Sequence, residues 1–224
     1  VTCSEPLFNF LGDEMQKLLE KVTIILVAIF LLVLSQLPMY YVNYENNKNN
    51  IYGVANKISV NFIIIVIFLG KKRGFYKQIA KTLELRNIVL IFVLAIFCVI
   101  LNIIINLFIR VHHLGTMYNQ DVIDNILGSL LWFSKIFGVA ILAPILEESI
   151  FRASIYQLFE NTKISFAVSS LLFAFVHSGY SWVFLVYLPV SLGITFIYHR
   201  SKILTDSILI HSIFNLLVIY LNFI

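Results

Sequence analysis

Charge is scarce in this sequence. Only 12% of its 224 residues are Asp, Glu, Lys or Arg, while 60% are hydrophobic. Average soluble domains run about 25% charged and about 45–50% apolar. With a mean hydropathy of +0.91, the chain is not a soluble domain with one anchor, and no polar stretch is long enough to be a separate domain. It reads as a single membrane domain over residues 1–224. Cysteine is nearly absent as well. Cys3 and Cys98 are too few for a disulfide framework, and there is no Cys-x-x-Cys or thiolate cluster. Cys98 lies inside an apolar run, where a thiol behaves as a small hydrophobe. There is no His-Glu-x-x-His, which argues against a zincin-type site. The stretch LGSLLW around Gly128 and Ser129 is not a Gly-x-Ser-Gly, and Asp121, Asp124 and Asp206 sit at the ends of apolar runs without an aspartyl motif. The net charge of +4 is modest. In a membrane chain, basic residues first report orientation, so the expected partners include the lipid bilayer and no nucleic acid.

About 20 apolar residues cross a bilayer as a helix. Seven runs meet or approach that length: 22–42, 58–70, 87–109, 125–146, 164–177, 182–199 and 203–224. The second is short and extends back towards Ile51. The acidic, mixed stretch SEPLFNFLGDEMQKLLEK before the first run does not read as a signal peptide and is expected to be retained. With the N-terminus in the cytoplasm, Lys17, Lys21, Lys71, Lys72, Arg73, Lys77, Lys81, Arg86, Lys163, Arg200 and Lys202 all face inwards, and only Lys48, Lys57 and Arg110 face outwards. The positive-inside rule therefore favours this orientation. The fold expected is all-α, a polytopic membrane bundle of about seven transmembrane helices with a cytoplasmic N-terminus.

Against this background a few polar residues stand out: Glu147, Glu148, Arg152, His177, His211 and Asn215, within or at the ends of the last four runs. Ionisable residues at membrane depth face the bundle interior, pair with one another and mark function. Glu148 and Arg152 are four apart with the acid first, the favourable order for an ion pair. Glu147 points about 100° away from Glu148 on a helix of 3.6 residues per turn, so one acid can be fixed by the arginine while the other faces a cavity. Phe173 and His177 share a face, as do His211 and Asn215. Pro144 precedes the glutamates and is expected to bend the helix there. One free carboxylate, two imidazoles and an amide suit two chemistries. Either the carboxylate is a general base towards water and the N–H groups stabilise an oxyanion, or Glu147, His177 and His211 hold a divalent metal with an open position. The bland readings are a helix-stabilising pair for Glu148–Arg152 and polar interhelical contacts for the histidines. They weaken because the set recurs in order on three nearby helices. His112 and His113 read as a solvated pair in an outer loop, and His199, beside Arg200 and Lys202, as a headgroup contact. Lys135 has no preferred reading.

The ordered motifs EESIFR (147–152), FAFVH (173–177) and HSIFN (211–215) resemble the CPBP family, also called the CAAX-protease and bacteriocin-processing or Abi family. Its pattern is Glu-Glu-x-x-x-Arg, Phe-x-x-x-His and His-x-x-x-Asn/Asp/Ser. The resemblance covers residues 125–217, which it marks as a catalytic core, and all three motifs match. It implies an intramembrane endopeptidase in the bacterial plasma membrane. Glu147 would activate water with the help of His177, His211 and Asn215 would form the oxyanion site, and Glu148, Arg152 and Phe173 would support them. It leaves metal dependence open; zinc on Glu147, His177 and His211 is the form a metal site would take. It implies a peptide or protein substrate at the membrane, and the Ile-, Asn- and Lys-rich chain looks like a Gram-positive bacterial member linked to bacteriocin maturation or self-immunity. Two rival expectations are a non-catalytic immunity protein and a scaffold for peptide export.

Overall fold

The computed structural model describes residues 15–23, 25–26, 79–114, 136–178 and 181–221. Most of the first expected span, all of the second, Lys135 and the start of the fourth lie outside the described residues. Among the described residues every regular element is helical, as expected of an all-α bundle. After a single turn at Ile79–Thr82 come α1 (Leu85–Val111), a wide π-helical segment (Ile136–Leu142), α2 (Ala143–Phe151), a short 3₁₀ turn (Ile155–Leu158), α3 (Thr162–Ser178), α4 (Phe184–Ser201) and α5 (Leu204–Leu221). Helices α1 and α5 are both long and apolar enough to cross a membrane.

Helix α1 is rich in Ile, Val and Phe, residues with modest helix propensity in water. In hydrocarbon the backbone must satisfy itself, and a helix does so within one segment. Much of α1 is exposed, including Phe92, Val93, Phe97, Ile100, Ile104 and Leu107, an apolar surface suited to lipid. Its buried side carries Ile91, Ala95, Cys98 and Val99, packed with Val190, Ile194 and Ile197 of α4 and Ile210, Ile213 and Phe214 of α5.

Helix α4 is central, in contact with α1, α3 and α5. Its approach to α1 depends on Gly193. A Cβ there would lie 2.5 Å from Cys98 Sγ, far inside van der Waals contact. Pro189 interrupts the helix ladder. Near it, Asn102 of α1 donates to the Val186 carbonyl at 3.2 Å, a polar side-chain bond between helices of the kind that ties membrane helices together. The α3–α4 contact uses small residues, as membrane helix interfaces do. Ser191 Oγ donates to the Ser170 carbonyl at 2.8 Å, and Ser169 Oγ of α3 donates to the Phe151 carbonyl of α2 at 2.9 Å.

Local signals set the chain reversals. Asn161 Oδ1 accepts the Lys163 N–H at 2.9 Å, a side-chain cap at the start of α3. Helix α4 stops at Lys202, which takes the left-handed conformation at φ 56° and returns its N–H to the Tyr198 carbonyl at 2.7 Å. Helix α5 begins two residues later, an antiparallel helical hairpin. The segment between α2 and α3 is tied to this hairpin through Tyr156, which packs edge-on against Tyr198. Burial pushes the Tyr156 phenol up to about 12, so it stays a hydroxyl. It bonds to His199 Nδ1 and accepts from Lys202 Nζ. His199 thus has a protein partner and Phe166 against its ring, where the sequence suggested a headgroup contact. His112 and His113 are exposed, as expected, at the end of α1.

Candidate active site

The three motifs converge where α2, α3 and α5 meet. Their first member enters by a change of winding. Pro144 does not bend a continuous helix; it stands in the first turn of α2, directly after the π-helical segment. Proline is tolerated in a first turn because its missing N–H would have no partner there. Short π-helical stretches are rare and are frequent at functional sites. This one presents the Val139 carbonyl to Asn215, whose Nδ2 donates to it at 2.8 Å.

The two glutamates then separate as the helical rotation requires. Glu148 is fully buried, and so is Arg152. Arg152 Nη1 donates to Glu148 Oε1 at 3.2 Å, and Arg152 Nε lies 3.2 Å from Oε2 in ionic contact without hydrogen-bond alignment. The guanidinium has further work. Its Nη2 donates to the Ser191 carbonyl at 3.2 Å and to Thr195 Oγ1 at 3.1 Å, both on α4. The Phe173 ring of α3 lies 4.7 Å from its central carbon, a cation–π contact strengthened by burial. Glu148 in turn accepts from His211 Nδ1 of α5 at 2.9 Å. One ion pair therefore joins α2, α3, α4 and α5, and it satisfies the requirement that buried charges be paired and hydrogen-bonded.

Glu147 is different. Its side chain is 23% exposed, and its Oε2 lies 3.3 Å from His177 Nε2 and 3.7 Å from His211 Nε2. The hydrogen positions follow from the partners. His177 Nδ1 is 2.8 Å from the Phe173 carbonyl; a carbonyl only accepts, so Nδ1 carries a hydrogen. His211 Nδ1 carries one too, because it meets the arginine-paired carboxylate of Glu148. Both imidazoles therefore turn Nε2 towards Glu147, and His177 and Glu147 hold one proton between them. Phe173 fixes both rings: it stacks on His177 with centroids 4.3 Å apart and meets His211 edge-on at 5.5 Å.

All the residues expected at the site, Glu147, Glu148, Arg152, Phe173, His177, His211 and Asn215, thus fall in one connected region. Their bonds refine the expectation for the oxyanion. His211 has its Nδ1 hydrogen on Glu148, and Asn215 gives one amide hydrogen to Val139. Among the described residues, no group of three or more His, Cys, Asp or Glu side chains is arranged as a metal site. Asp206, in the first turn of α5, is buried, and neither of its oxygens has a hydrogen-bond partner among the described residues. Ser191 and Thr195 were not anticipated. Their signal was the four-residue spacing of Tyr187, Ser191 and Thr195 in YLPVSLGIT (187–195), which puts three hydroxyl-bearing side chains along one face of α4.

Residues 128–217 match the family model described as type II CAAX prenyl endopeptidase Rce1-like. The chain is 62% identical over 185 residues to UPF0177 protein YajF of Lactococcus lactis subsp. lactis (strain IL1403), covering 80% of this chain and 92% of that protein. It is 44% identical over 215 residues to UPF0177 protein YaiF of the same strain, covering 91% and 99%. To UPF0177 protein YaiH of that strain it is 33% identical over 170 residues, covering 74% and 72%. No solved structure matches.

Proposed function

Since the chain belongs to the UPF0177 family and carries the Rce1-like region of CAAX-protease-like membrane endopeptidases, we propose that it hydrolyses a peptide bond with water activated by Glu147. The observation that carries this reading is the contrast between a buried, arginine-paired Glu148 and a partly open Glu147 facing two imidazole nitrogens. A carboxylate placed in this way is a general base within reach of water.

The reaction divides among the groups in place. Water approaches the exposed side of Glu147 and gives a proton to the carboxylate as its oxygen bonds to the carbonyl carbon. The carbonyl pair moves onto oxygen, and the second amide hydrogen of Asn215 is a donor available to it. The proton held between His177 and Glu147 passes from His177 Nε2 to the leaving nitrogen as the C–N bond breaks. The proton taken from water then returns to His177. His211 keeps Glu148 and Glu147 at a fixed separation. Glu148, Arg152 and Phe173 hold the frame.

The substrate class we propose is a peptide or protein presented at the membrane, with processing of a bacteriocin or toxin peptide, or self-protection from one, as the biological role. The test is Glu147→Gln in the producing cell, with membrane level, peptide maturation and self-killing scored together. The reading expects normal protein level with maturation and protection both lost. Maturation and protection at the wild-type level would make the glutamate structural and favour a binding or scaffold role.

A further inference from the structure

The oxyanion site is short of donors. Preorganised sites of this kind aim hydrogen-bond donors at the position where charge develops. Here the Nδ1 hydrogen of His211 is held by Glu148, and one amide hydrogen of Asn215 is held by Val139. That leaves a single amide hydrogen from the two residues of the third motif.

A further donor stands on α4, outside all three motifs. The Tyr187 ring lies 5.4 Å from the ring of His177, the imidazole whose Nε2 meets Glu147 Oε2 at 3.3 Å. Its face of the helix is the one that carries Ser191 and Thr195 to Arg152, so Tyr187 continues the same polar stripe one turn further towards the mouth. The ring is supported from behind by Ile109, Val183 and Val186. The hydroxyl takes no hydrogen bond among the described residues, and it is not among their buried unpartnered atoms. A phenol on a supported ring, packed against the imidazole that meets the general base and with its O–H uncommitted among the described residues, has the attributes of a preorganised donor.

We propose that Tyr187 is a catalytic residue whose hydroxyl donates a hydrogen bond to the oxyanion formed on the scissile carbonyl. The assignment rests on the hydrolytic reading above. As the water oxygen bonds to carbon, the carbonyl pair moves onto oxygen and that oxygen accepts the Tyr187 hydrogen bond. The phenol keeps its proton throughout. The pair returns to re-form the carbonyl when the C–N bond breaks, and the hydrogen bond weakens with the charge. Such a donor acts on the transition state more than on the bound peptide, so its loss falls on kcat and leaves KM nearly unchanged.

The experiment uses the full chain in detergent and an internally quenched, prenylated CAAX peptide as probe. Tyr187→Phe keeps the ring, its contact with His177 and its apolar support, and removes only the hydroxyl. The expected result is a fall in kcat of about 100-fold, the scale of one lost oxyanion donor, with KM and thermal midpoint close to wild type. A kcat within about threefold of wild type overturns the assignment, as does a raised KM with kcat preserved or a loss of activity matched by a lowered midpoint. Glu147→Gln, measured alongside, separates the two readings. An inactive Glu147→Gln with a fully active Tyr187→Phe removes Tyr187 alone. An active Glu147→Gln removes the hydrolytic reading and the Tyr187 assignment with it.

Discussion

The floor of the site and its mouth are built from adjacent residues held in opposite ways. At the floor, Glu148 and Arg152 are fully buried, and their contacts reach α3, α4 and α5. At the mouth, Glu147 is partly open and faces two imidazole nitrogens at 3.3 and 3.7 Å. Both are glutamates on one helix, so side-chain chemistry does not distinguish them. The difference is in partnering. A carboxylate with an arginine and an imidazole on its oxygens has little left to offer a substrate. A carboxylate that shares one proton with His177, faces His211 Nε2 and opens to solvent keeps its capacity to take a proton.

Breaking the floor should have the largest effect on the fold. Arg152→Ala leaves Glu148 buried without its cation, which costs about 3–5 kcal/mol. The measurement is the thermal midpoint in detergent together with the level of protein in membranes, and both are expected to drop sharply. Arg152→Lys should recover little, because an ammonium cannot reach Glu148, the Ser191 carbonyl and Thr195 Oγ1 at once in the manner of a planar guanidinium.

Phe173 touches both regions, lying under the Arg152 guanidinium and stacked on His177. Phe173→Leu removes a desolvated cation–π contact worth about 2 kcal/mol and releases the His177 ring. It should therefore lower midpoint and kcat together, where Arg152→Ala acts first on the midpoint. Separate titration of the two losses by temperature tests whether floor and mouth are coupled through this ring.

The smallest effect belongs to the α1–α4 seam, away from the site. Gly193→Ala forces a Cβ against Cys98 Sγ, an overpacking that costs about 1–3 kcal/mol. Adding Cys98→Ala removes the clashing sulfur and should restore most of the midpoint. Activity per folded molecule is expected to stay at the wild-type value in both variants.

Much of the cluster was legible in the sequence because charge is so costly in hydrocarbon that Glu147, Glu148, Arg152, His177 and His211 were expected to face inwards and meet one another. The spacing of Glu148 and Arg152 also announced their pairing correctly. What could not be read was the partnering over long sequence distances. His211 meets Glu148 across 63 positions, and Asn215 meets the Val139 carbonyl across 76. The π winding over Ile136–Leu142 leaves no mark in an apolar sequence, so Pro144 was read as a bend when it opens a new helix. The roles of Ser191 and Thr195 were hidden because hydroxyls in membrane helices commonly satisfy themselves on their own backbone, as Thr195 does on the Ser191 carbonyl at 2.7 Å. The spans of α1, α3, α4 and α5 were legible to within a few residues from apolar run length alone.

The central claim is that Glu147 does chemistry and Glu148 does architecture. The most direct test is to measure peptide cleavage and thermal midpoint side by side for Glu147→Gln and Glu148→Gln, each purified in detergent with the same prenylated CAAX probe. The account predicts a Glu147→Gln protein with the wild-type midpoint and no cleavage, and a Glu148→Gln protein whose midpoint falls because Arg152 has lost its counter-charge. Cleavage by Glu147→Gln, or a Glu148→Gln protein as stable as wild type, would contradict it.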